Sequence, residues 1–144
     1  MNIVVNSSGK DEIKNFVRDH SSDFSPSFVE QIGDIDYYID KIFANAVRYE
    51  VTKEKQIIAL MFVYYNDKLS QIYIPHICVD SKMRGLNLGT TLINLLKNKK
   101  KYNAIRLEVY KDNPAFQFYK NHKFFIEEDR GEKYLPTLLF LSIH

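Results

Sequence analysis

The chain has 144 residues, a formal net charge of +2 and 45% hydrophobic residues. This length fits one domain, and the composition is that of a soluble globular protein. The small net charge gives no support to nucleic-acid binding, the single cysteine excludes an internal disulfide, and no apolar run approaches the roughly 20 residues that span a bilayer. Because the N-terminal segment lacks the layout of a secretory signal, we expect one domain over residues 1–144, located in the cytoplasm and without a membrane or nucleic-acid partner.

The first half of the chain predicts two helices and several strands. Apolar residues at helical spacing predict a helix over Lys10 to His20, and Asp34 or Asp36 can cap a second helix. Residues 21–32 indicate a turn-rich break followed by a helical turn or two. Four further stretches are enriched in β-branched and aromatic residues and therefore predict strands. They are Ile3–Val5, Val47–Val51, Gln56–Tyr65 and Gln71–Val79.

The second half of the chain predicts alternating strands and helices. Leucines at helical spacing predict a helix from Leu86 to about Lys97, and Pro114 can open a further helix, where its missing N–H costs least. Strands are predicted at Ala104–Val109, Phe124–Ile126 and Leu138–Ile143. Pro136 indicates an edge position for the start of the last of them, because proline cannot donate a hydrogen bond to a neighbouring strand.

These elements together predict an α/β (α+β) fold. The helix between the strands at Gln71 and Ala104 predicts that these two strands are parallel, whereas the hairpin turns before them predict antiparallel pairing. The expected architecture is a mixed sheet covered by helices on both faces.

A short glycine-containing loop between a predicted strand and a predicted helix is the clearest candidate for a binding site. Its residues are Arg84, Gly85, Leu86, Asn87, Leu88, Gly89 and Thr90. Backbone N–H groups at the start of a helix point outward at the positive end of the helix dipole, and such groups bind phosphate. The two glycines let a ligand approach the main chain, Asn87 can adopt the left-handed conformation, and Thr90 can add a hydroxyl donor. We therefore expect this loop to bind a phosphorylated cofactor.

Two blocks of the sequence resemble the GNAT superfamily of N-acetyltransferases. The first, Ile77 to Gly89, resembles the family's strand and its Gln/Arg-x-x-Gly-x-Gly/Ala loop. The second, Leu107 to Phe124, resembles the family's strand followed by Asn-x-x-Ala-x-x-hydrophobic-Tyr-x-x-x-Gly-Phe. The resemblance covers about Ile57 to Phe125. Two positions depart from the family pattern, since Asn87 replaces the middle glycine of the loop and Lys123 replaces the glycine before the phenylalanine.

The resemblance implies acetyl-CoA as the cofactor and a mostly antiparallel sheet with one splayed parallel strand pair. It implies that the backbone of Ile77, Cys78 and Val79 holds the pantetheine arm along a bulged strand. A bulge frees an amide to bind the thioester carbonyl, and we expect the amide of Cys78 or Val79 to do so. Asn113 can bind the pantetheine amides from the opposite wall, or it can cap the helix that follows it.

The resemblance also implies two catalytic candidates. Tyr119 is the expected general acid, because acyl transfer to an amine leaves a thiolate that must be protonated. The alternative is that Tyr119 only packs among neighbouring phenylalanines. The attacking amine must be neutral, so a base is useful. We expect His76 to act as this base through water, with Glu108 as the alternative, because Tyr73 stands near the position where some relatives carry a glutamate.

The acceptor implied by this reading is the primary amine of a small molecule, with an amino sugar as the leading subtype. The acetyl group is expected to pass directly from cofactor to amine, and Tyr37, Tyr38 and Tyr49 are candidate walls of the acceptor site. A protein or peptide acetyltransferase and a non-catalytic acyl-CoA-binding sensor are the alternatives. The histidines are scattered without metal-ligand spacing, so no metal is expected, and the protein is expected to be a monomer or a homodimer.

Overall fold

The structure is a computed structural model that describes residues 1–20, 34–83, 85–111, 113–128 and 137–143. The described residues form seven strands, which are β1 (Asn2–Val5), β2 (Val47–Lys53), β3 (Gln56–Asn66), β4 (Gln71–Val79), β5 (Ala104–Val109), β6 (Phe125–Glu128) and β7 (Thr137–Ser142). They also form four helices and a short 3-10 turn, which are α1 (Lys10–Asp19), α2 (Ile35–Asn45), α3 (Leu88–Lys97), α4 (Ala115–Asn121) and the turn Ser81–Met83. The predicted break and helical turns over residues 21–32 lie outside the described residues.

The strands form one sheet in the order β1-β2-β3-β4-β5-β7-β6. Every neighbouring pair is antiparallel except β4 and β5, which are parallel and are joined through the crossover helix α3. The predicted mixed, mostly antiparallel fold is therefore confirmed. The prediction of an edge position for the start of the last strand was wrong, because Leu138 already pairs with Glu108 of β5 on one side and with Glu128 of β6 on the other. The edge strand is β6.

Helices cover both faces of the sheet because each carries one apolar stripe. On one face, α3 packs into a core cluster with its buried residues Leu88, Leu92, Ile93 and Leu96. On the other face, α1 and α2 form a second cluster with their buried residues Ile13, Phe16, Val17, Ile35, Ile39 and Ile42. Met61 of β3 belongs to the first cluster and its neighbour Phe62 to the second, as expected for side chains that alternate across a strand.

The start of α2 is capped by one of the two predicted aspartates. The Tyr37 N–H donates to Asp34 Oδ1 at 3.1 Å, so Asp34 is the N-cap. Asp36 instead accepts a hydrogen bond from Arg18 of α1 at 2.9 Å. This contact helps to hold α2 against α1, and α2 reaches the site described next.

A buried carboxylate fastens the connection between β1 and α1. Glu50 of β2 is fully buried and accepts hydrogen bonds from the Ser7 N–H at 2.9 Å and the Ser8 N–H at 3.1 Å. The Arg48 guanidinium lies 3.8 Å from the same carboxylate and 4.0 Å from the Phe43 ring centroid. A buried charge is stable when it is paired and hydrogen-bonded in this way, so Glu50 holds the N-terminal segment on the α2 side of the sheet.

Candidate active site

The parallel strands β4 and β5 separate to form an opening, which we call the cleft. They pair from Gln71 and Ala104 as far as Ile74 and Leu107, and the pairing ends there although β4 continues to Val79. The predicted splaying of the parallel pair is therefore confirmed. The cleft lies at the carboxyl end of both strands, where parallel strands of an α/β fold commonly bind ligands.

A bulge in β4 coincides with the separation. Tyr64 pairs with Tyr73 and Phe62 pairs with His76, so two steps along β3 match three steps along β4. The additional residue lies at Ile74 or Pro75, and proline suits this position because it has no N–H to donate. The bulge also exchanges the two faces of the strand, because Ile74 packs in the cluster beside α3, whereas Cys78 packs in the cluster beside α2.

Alternation along β4 determines which of its N–H groups face the cleft. The Asp80 N–H donates to the Ile58 carbonyl at 2.9 Å, in the same register that pairs Cys78 with Leu60. In an antiparallel ladder every second residue bonds to the same neighbour, so the N–H of Cys78 also points toward β3. The N–H groups of Ile77 and Val79 therefore point away from β3, toward the cleft. The sequence left the amides of Cys78 and Val79 as candidates for binding the thioester carbonyl. This geometry favours the amide of Val79.

A cavity of about 470 Å³ occupies the cleft and continues over the first turns of α3 and α4. The predicted site residues that line it are His76, Ile77, Cys78, Val79, Gly85, Asn87, Leu88, Gly89, Thr90, Asn113 and Tyr119. Leu86 is the one described exception, since it is 43% exposed and does not line the cavity, and Arg84 lies outside the described residues. Two blocks that are distant in sequence are thus brought together around one space.

The loop before α3 has the conformation that its composition predicts. Asn87 has φ 55° and Gly85 has φ 96°, so both are in the left-handed region. Asn87 is the N-cap of α3, but its side chain makes no capping hydrogen bond. A Cβ at Gly85 would meet no atom within 4 Å, so the backbone angle alone explains the glycine. The first-turn N–H groups of α3 consequently border the cavity without a capping side chain from Asn87.

Gly89 has a packing role that the sequence did not reveal. A Cβ at this position would lie 3.0 Å from Cζ and 3.4 Å from Cε2 of Phe118. The glycine therefore allows the α4 ring to press against the first turn of α3. Phe118 also lines the cavity, so the packing of the two helices shapes the wall beside the predicted phosphate loop.

The Thr90 hydroxyl has a partner within the protein. Its Oγ1 lies 3.0 Å from Nε2 of His122, 32 residues further along the chain. The His122 ring packs at a tilt of 49° against Phe118, with centroids 4.5 Å apart. Burial, and then the charge of Lys97, lower the pKa of His122, so its imidazole is neutral at pH 7. The direction in which the Thr90 hydroxyl donates is thus coupled to the tautomer of His122.

Asn113 has the capping contact that the sequence offered as one of its two roles. Its Oδ1 accepts a hydrogen bond from the Ala115 N–H at 2.9 Å, at the start of α4. Asn113 is buried and lines the cavity. Capping uses the carbonyl oxygen of the side chain, and the NH2 group can still donate to a ligand. The two predicted roles are therefore compatible.

Tyr119 lies between the aromatic cluster and the cavity. Its ring makes edge contacts with Phe118 and Phe124 at centroid distances of 5.3 and 5.4 Å, and the residue is 4% exposed. Burial raises the pKa of the Tyr119 hydroxyl, which is therefore protonated at neutral pH. Because Tyr119 also lines the cavity, the packing role and the proton-donor role are available to the same side chain.

The two candidate bases differ in their surroundings. His76 is buried, with its ring 6.1 Å from that of Phe62, and burial lowers the pKa of His76 to about 3. Its imidazole is neutral at pH 7 and is a weak base. Glu108 is exposed, lines the cavity one residue beyond the last β4–β5 pair, and accepts a hydrogen bond from the Tyr73 hydroxyl at 3.3 Å.

The three tyrosines predicted as acceptor walls occupy different places. The Tyr38 hydroxyl of α2 donates to the Pro75 carbonyl at 3.2 Å, so this side chain reaches the bulge that borders the cavity. Tyr37 is 70% exposed. Tyr49 packs in the cluster beside α3, on the sheet face opposite α2, and its hydroxyl lies 2.5 Å from that of Tyr65.

The described part of the chain holds neither a cluster of metal-ligating side chains nor a membrane-spanning helix. The described residues contain no group of three or more His, Cys, Asp or Glu side chains that could hold a metal ion. None of the helices that the structure describes is both long enough and apolar enough to cross a membrane.

Comparison with known proteins agrees with this geometry. A family model described as "Acetyltransferase (GNAT) domain" matches residues 49–134. No curated protein matches the chain in sequence.

Solved structures share the fold at low sequence identity. An aminoglycoside 6'-N-acetyltransferase complexed with coenzyme A is 14% identical, with a TM-score of 0.76 over 100% of this chain and 98% of that chain. The PaiA N-acetyltransferase from Thermoplasma acidophilum, also in complex with coenzyme A, is 13% identical, with a TM-score of 0.70 over 99% of both chains. The ribosomal-protein-S18-alanine N-acetyltransferase from Escherichia coli is 14% identical, with a TM-score of 0.70 over 99% of this chain and 94% of that chain.

Proposed function

Since the chain belongs to the GNAT family of acetyltransferases, we propose that it transfers an acetyl group from acetyl-CoA directly to the primary amine of a small molecule. The observation that carries this proposal is the cleft itself. A bulged, splayed strand pair opens beside a helix start whose loop is held in the left-handed conformation. Solved structures with the same fold contain coenzyme A, which supports the choice of donor.

The described residues fit such a donor. Gly85 and the residues from Asn87 to Thr90 border the cavity, and their main-chain N–H groups lie at the positive end of the α3 dipole, which suits a diphosphate. The exposed edge of β4 from Ile77 to Val79 offers backbone groups to the amides of an extended arm, and the Asn113 NH2 group can donate from the opposite wall. Arg84 belongs to the same loop in sequence, and a role for it remains a prediction.

Two residues are proposed to act on the thioester. The thioester supplies an activated acetyl group when the donor is bound. The N–H of Val79 points toward the cleft and can stabilise negative charge on the carbonyl oxygen during attack. The protonated Tyr119 hydroxyl can give a proton to the departing sulfur. Among the described residues Cys78 is the only thiol, and it packs in the cluster beside α2, so direct transfer is favoured over a covalent acyl-enzyme.

The acceptor amine must lose a proton before it attacks. Between the two bases that the sequence nominated, Glu108 has the exposed carboxylate at the cleft, whereas the buried imidazole of His76 has a pKa of about 3. The exposed position of Glu108 at the cleft therefore favours its carboxylate as the group that accepts this proton.

A small acceptor is favoured over a protein or peptide by the way α2 approaches the cleft. The Tyr38 hydroxyl is hydrogen-bonded to the Pro75 carbonyl, so α2 closely approaches the bulge that borders the cavity. An extended peptide needs an open groove at this place, whereas a compact amine does not. We propose that the enzyme works in the cytoplasm, in keeping with its single cysteine, as a monomer or homodimer.

The proposal is tested with a panel of amines assayed for free thiol release from acetyl-CoA. The panel contains amino sugars, aminoglycosides, simple aliphatic amines and short peptides with a free N-terminus. We expect turnover with at least one small amine and little with peptides, and we expect coenzyme A to raise Tm by mass action. A preference for peptides would support the protein acetyltransferase instead. Binding of coenzyme A without turnover of any amine would support the acyl-CoA-binding sensor.

A further inference from the structure

One side-chain hydrogen bond joins the first turn of α3 to the end of α4. It links Thr90 Oγ1 and His122 Nε2 at a distance of 3.0 Å. Thr90 lines the cavity, whereas His122 does not, so the imidazole lies behind the hydroxyl as seen from the cavity. A donor in the cavity would therefore meet the Thr90 hydroxyl, and His122 would act on that donor through Thr90.

The His122 ring is held in place by its surroundings. His122 follows the last residue of α4, and its backbone N–H donates to the carbonyls of Phe118 and Tyr119 at 3.1 and 3.0 Å. The imidazole packs against the Phe118 ring, which itself occupies the space beside the backbone of Gly89. Few side-chain conformations of His122 are compatible with these contacts, so Nε2 has a defined position beside Thr90.

The contact of the Thr90 hydroxyl differs from that of its neighbour Thr91. Thr91 donates to the Asn87 carbonyl at 3.0 Å, which is a common contact of a helical threonine with the preceding turn. A hydroxyl has one proton to donate and can accept two hydrogen bonds. If Nε2 of His122 carries a proton, it donates to Thr90 and leaves the hydroxyl proton free to point into the cavity. If Nε2 carries none, it accepts the hydroxyl proton, and only the lone pairs of Thr90 remain for a ligand.

The charges around His122 are positive, so the ring can respond to an anion. Burial, and then the charge of Lys97 on α3, lower the pKa of His122. Lys120 and Lys123 flank His122 in the chain, and Lys123 lines a second cavity together with Lys97. The described residues of the last strand and its end that line this cavity carry no charge, and they are Leu141, Ser142 and Ile143. A diphosphate at the start of α3 would offset the positive charges and raise the pKa of His122 again.

We propose that His122 is a positioning residue for the donor: its Nε2–H donates to Thr90, and the Thr90 hydroxyl thereby donates its own proton to the diphosphate of coenzyme A. This inference rests on the donor site of the proposed function and specifies how that site holds its ligand. Coenzyme A should select the forms of the imidazole that carry a proton on Nε2. Because binding then raises the pKa of His122, the affinity for coenzyme A should rise as the pH falls through that pKa.

The test measures the Kd of coenzyme A by calorimetric titration between pH 5.5 and pH 8.5, together with kcat and KM for acetyl-CoA. His122→Phe keeps a ring against Phe118 but has no N–H, and His122→Gln offers an amide N–H that does not titrate. Thr90→Val removes the hydroxyl, alone and together with His122→Phe. The matched control is Thr91→Val, which removes the neighbouring hydroxyl outside the cavity lining. Thermal unfolding shows that each variant is folded.

At pH 8.5, Thr90→Val is expected to raise the Kd of coenzyme A about 10- to 100-fold, which is the usual loss for a hydrogen bond to a charged group. His122→Phe should raise Kd about three- to tenfold, because the hydroxyl stays in place but loses its orientation. In the Thr90→Val background it should change Kd by less than about twofold, since His122 acts through that hydroxyl. His122→Gln should recover most of the loss, and kcat at saturating acetyl-CoA should stay within about twofold throughout.

The pH profile separates this role from packing. Between pH 8.5 and pH 5.5, the affinity of the wild-type protein should increase about three- to tenfold more than that of His122→Gln, because only the imidazole gains a charge that strengthens its hydrogen bond to Thr90. The phosphate of coenzyme A also titrates in this range, but it does so in every variant and cancels in the comparison.

Equal pH profiles of the wild-type protein and His122→Gln would overturn the positioning role. Fully additive losses in the Thr90→Val/His122→Phe double variant, or losses in kcat rather than in Kd, would overturn it as well. If coenzyme A bound with the expected pH profile but no amine were acetylated, the proposed function would fail and the role of His122 would stand. If coenzyme A did not bind the wild-type protein, both would fail.

Discussion

The two sides of the cleft are built in different ways. On the donor side, toward α3 and α4, the groups proposed to bind acetyl-CoA are mostly main-chain N–H groups, which come from two continuous blocks of sequence. On the acceptor side, toward α2, the groups are side chains from one helix and three strands. The donor side thus depends on backbone conformation, and the acceptor side depends on which side chains the sheet order brings together.

This difference bears on how the two sides tolerate change. A main-chain site keeps its donors when a side chain is substituted, provided that the backbone angles can be adopted. A side-chain site changes its chemistry with each substitution, as the base role proposed for Glu108 would require. Apart from changes at Thr90, Tyr119 and His122, we therefore expect donor-side variants to act through packing and strain, and acceptor-side variants to act through charge and protonation.

Tyr119→Phe is expected to have the largest effect on activity, because Tyr119 is the one donor-side residue whose side chain is proposed to act on the reacting atoms. Loss of a general acid lowers kcat by about 100-fold or more. The ring contacts with Phe118 and Phe124 are kept, so the Kd of coenzyme A should change by less than about threefold, in line with an intact core. A thiol-release assay measures kcat, and calorimetric titration measures the Kd of coenzyme A.

Tyr65→Phe is the control for this prediction, since it removes a hydroxyl that meets Tyr49 on the same face of the sheet, outside the cavity lining. Equal activities of Tyr119→Phe and Tyr65→Phe would mean that Tyr119 serves only in packing.

Gly89→Val tests whether donor-side changes act through packing. The added side chain would overlap the Phe118 ring, so the free energy of unfolding should fall by about 1–3 kcal/mol and coenzyme A should no longer bind. Denaturant unfolding and a coenzyme A thermal shift check both parts.

The matched comparison is Gly89→Ala with and without Phe118→Leu. If close packing is the reason for the glycine, the smaller leucine side chain at position 118 should recover stability in the Gly89→Ala background. A Gly89→Val protein with normal stability and normal coenzyme A affinity would show that the two helices do not limit this position.

His76 gives the acceptor side a dependence on pH. The pKa of His76 is about 3 in the folded protein and about 6.5 in an unfolded chain. Between these values the unfolded state binds more protons, so the free energy of unfolding should fall by about 1.4 kcal/mol for each pH unit below 6.5. Above pH 6.5 both states are neutral at this group and its contribution is constant.

His76→Asn should flatten this slope between pH 5 and pH 6.5, and chemical denaturation at several pH values measures it. His122→Asn is the comparison on the donor side, because the pKa of His122 is also lowered but the residue is less deeply buried. If His76→Asn and the wild-type protein had equal slopes, protonation of His76 would not oppose folding.

The same division explains what the sequence could and could not predict. The left-handed angles of Gly85 and Asn87 follow from residue types within one short loop, and the strand–helix–strand order around them fixes the parallel pair. Composition and periodicity are local, and so are these features. They were therefore predictable without knowledge of the rest of the fold.

Contacts between distant segments were not predictable in this way. Three contacts of this kind depend on which elements the sheet places side by side. They are the Thr90–His122 hydrogen bond, the packing of Gly89 against Phe118, and the hydrogen bond from the Ser7 N–H to the Glu50 carboxylate. The insertion of β7 between β5 and β6 is of the same kind. A proline before β7 indicates an edge position only when the neighbouring strands are unknown. In the fold, β7 pairs with β5 along the whole length of β5, and this pairing places β7 inside the sheet.

The smallest expected effect concerns Asn87, and it tests most directly whether the donor side is made of main chain. Asn87 has φ 55°, and its side chain does not cap α3. Glycine adopts this angle freely but gives the unfolded chain more freedom, so Asn87→Gly should change the free energy of unfolding by less than about 0.5 kcal/mol. Coenzyme A affinity should stay within about twofold, because the N–H groups keep their positions.

Asn87→Val is the matched opposite: a β-branched residue at this angle costs about 1–2 kcal/mol, and relaxation of the loop should weaken coenzyme A binding. Calorimetric titration of both variants with coenzyme A measures the contrast. A clear loss of affinity in Asn87→Gly would mean that the Asn87 side chain itself contacts the donor, and the division between a main-chain side and a side-chain side of the cleft would no longer hold.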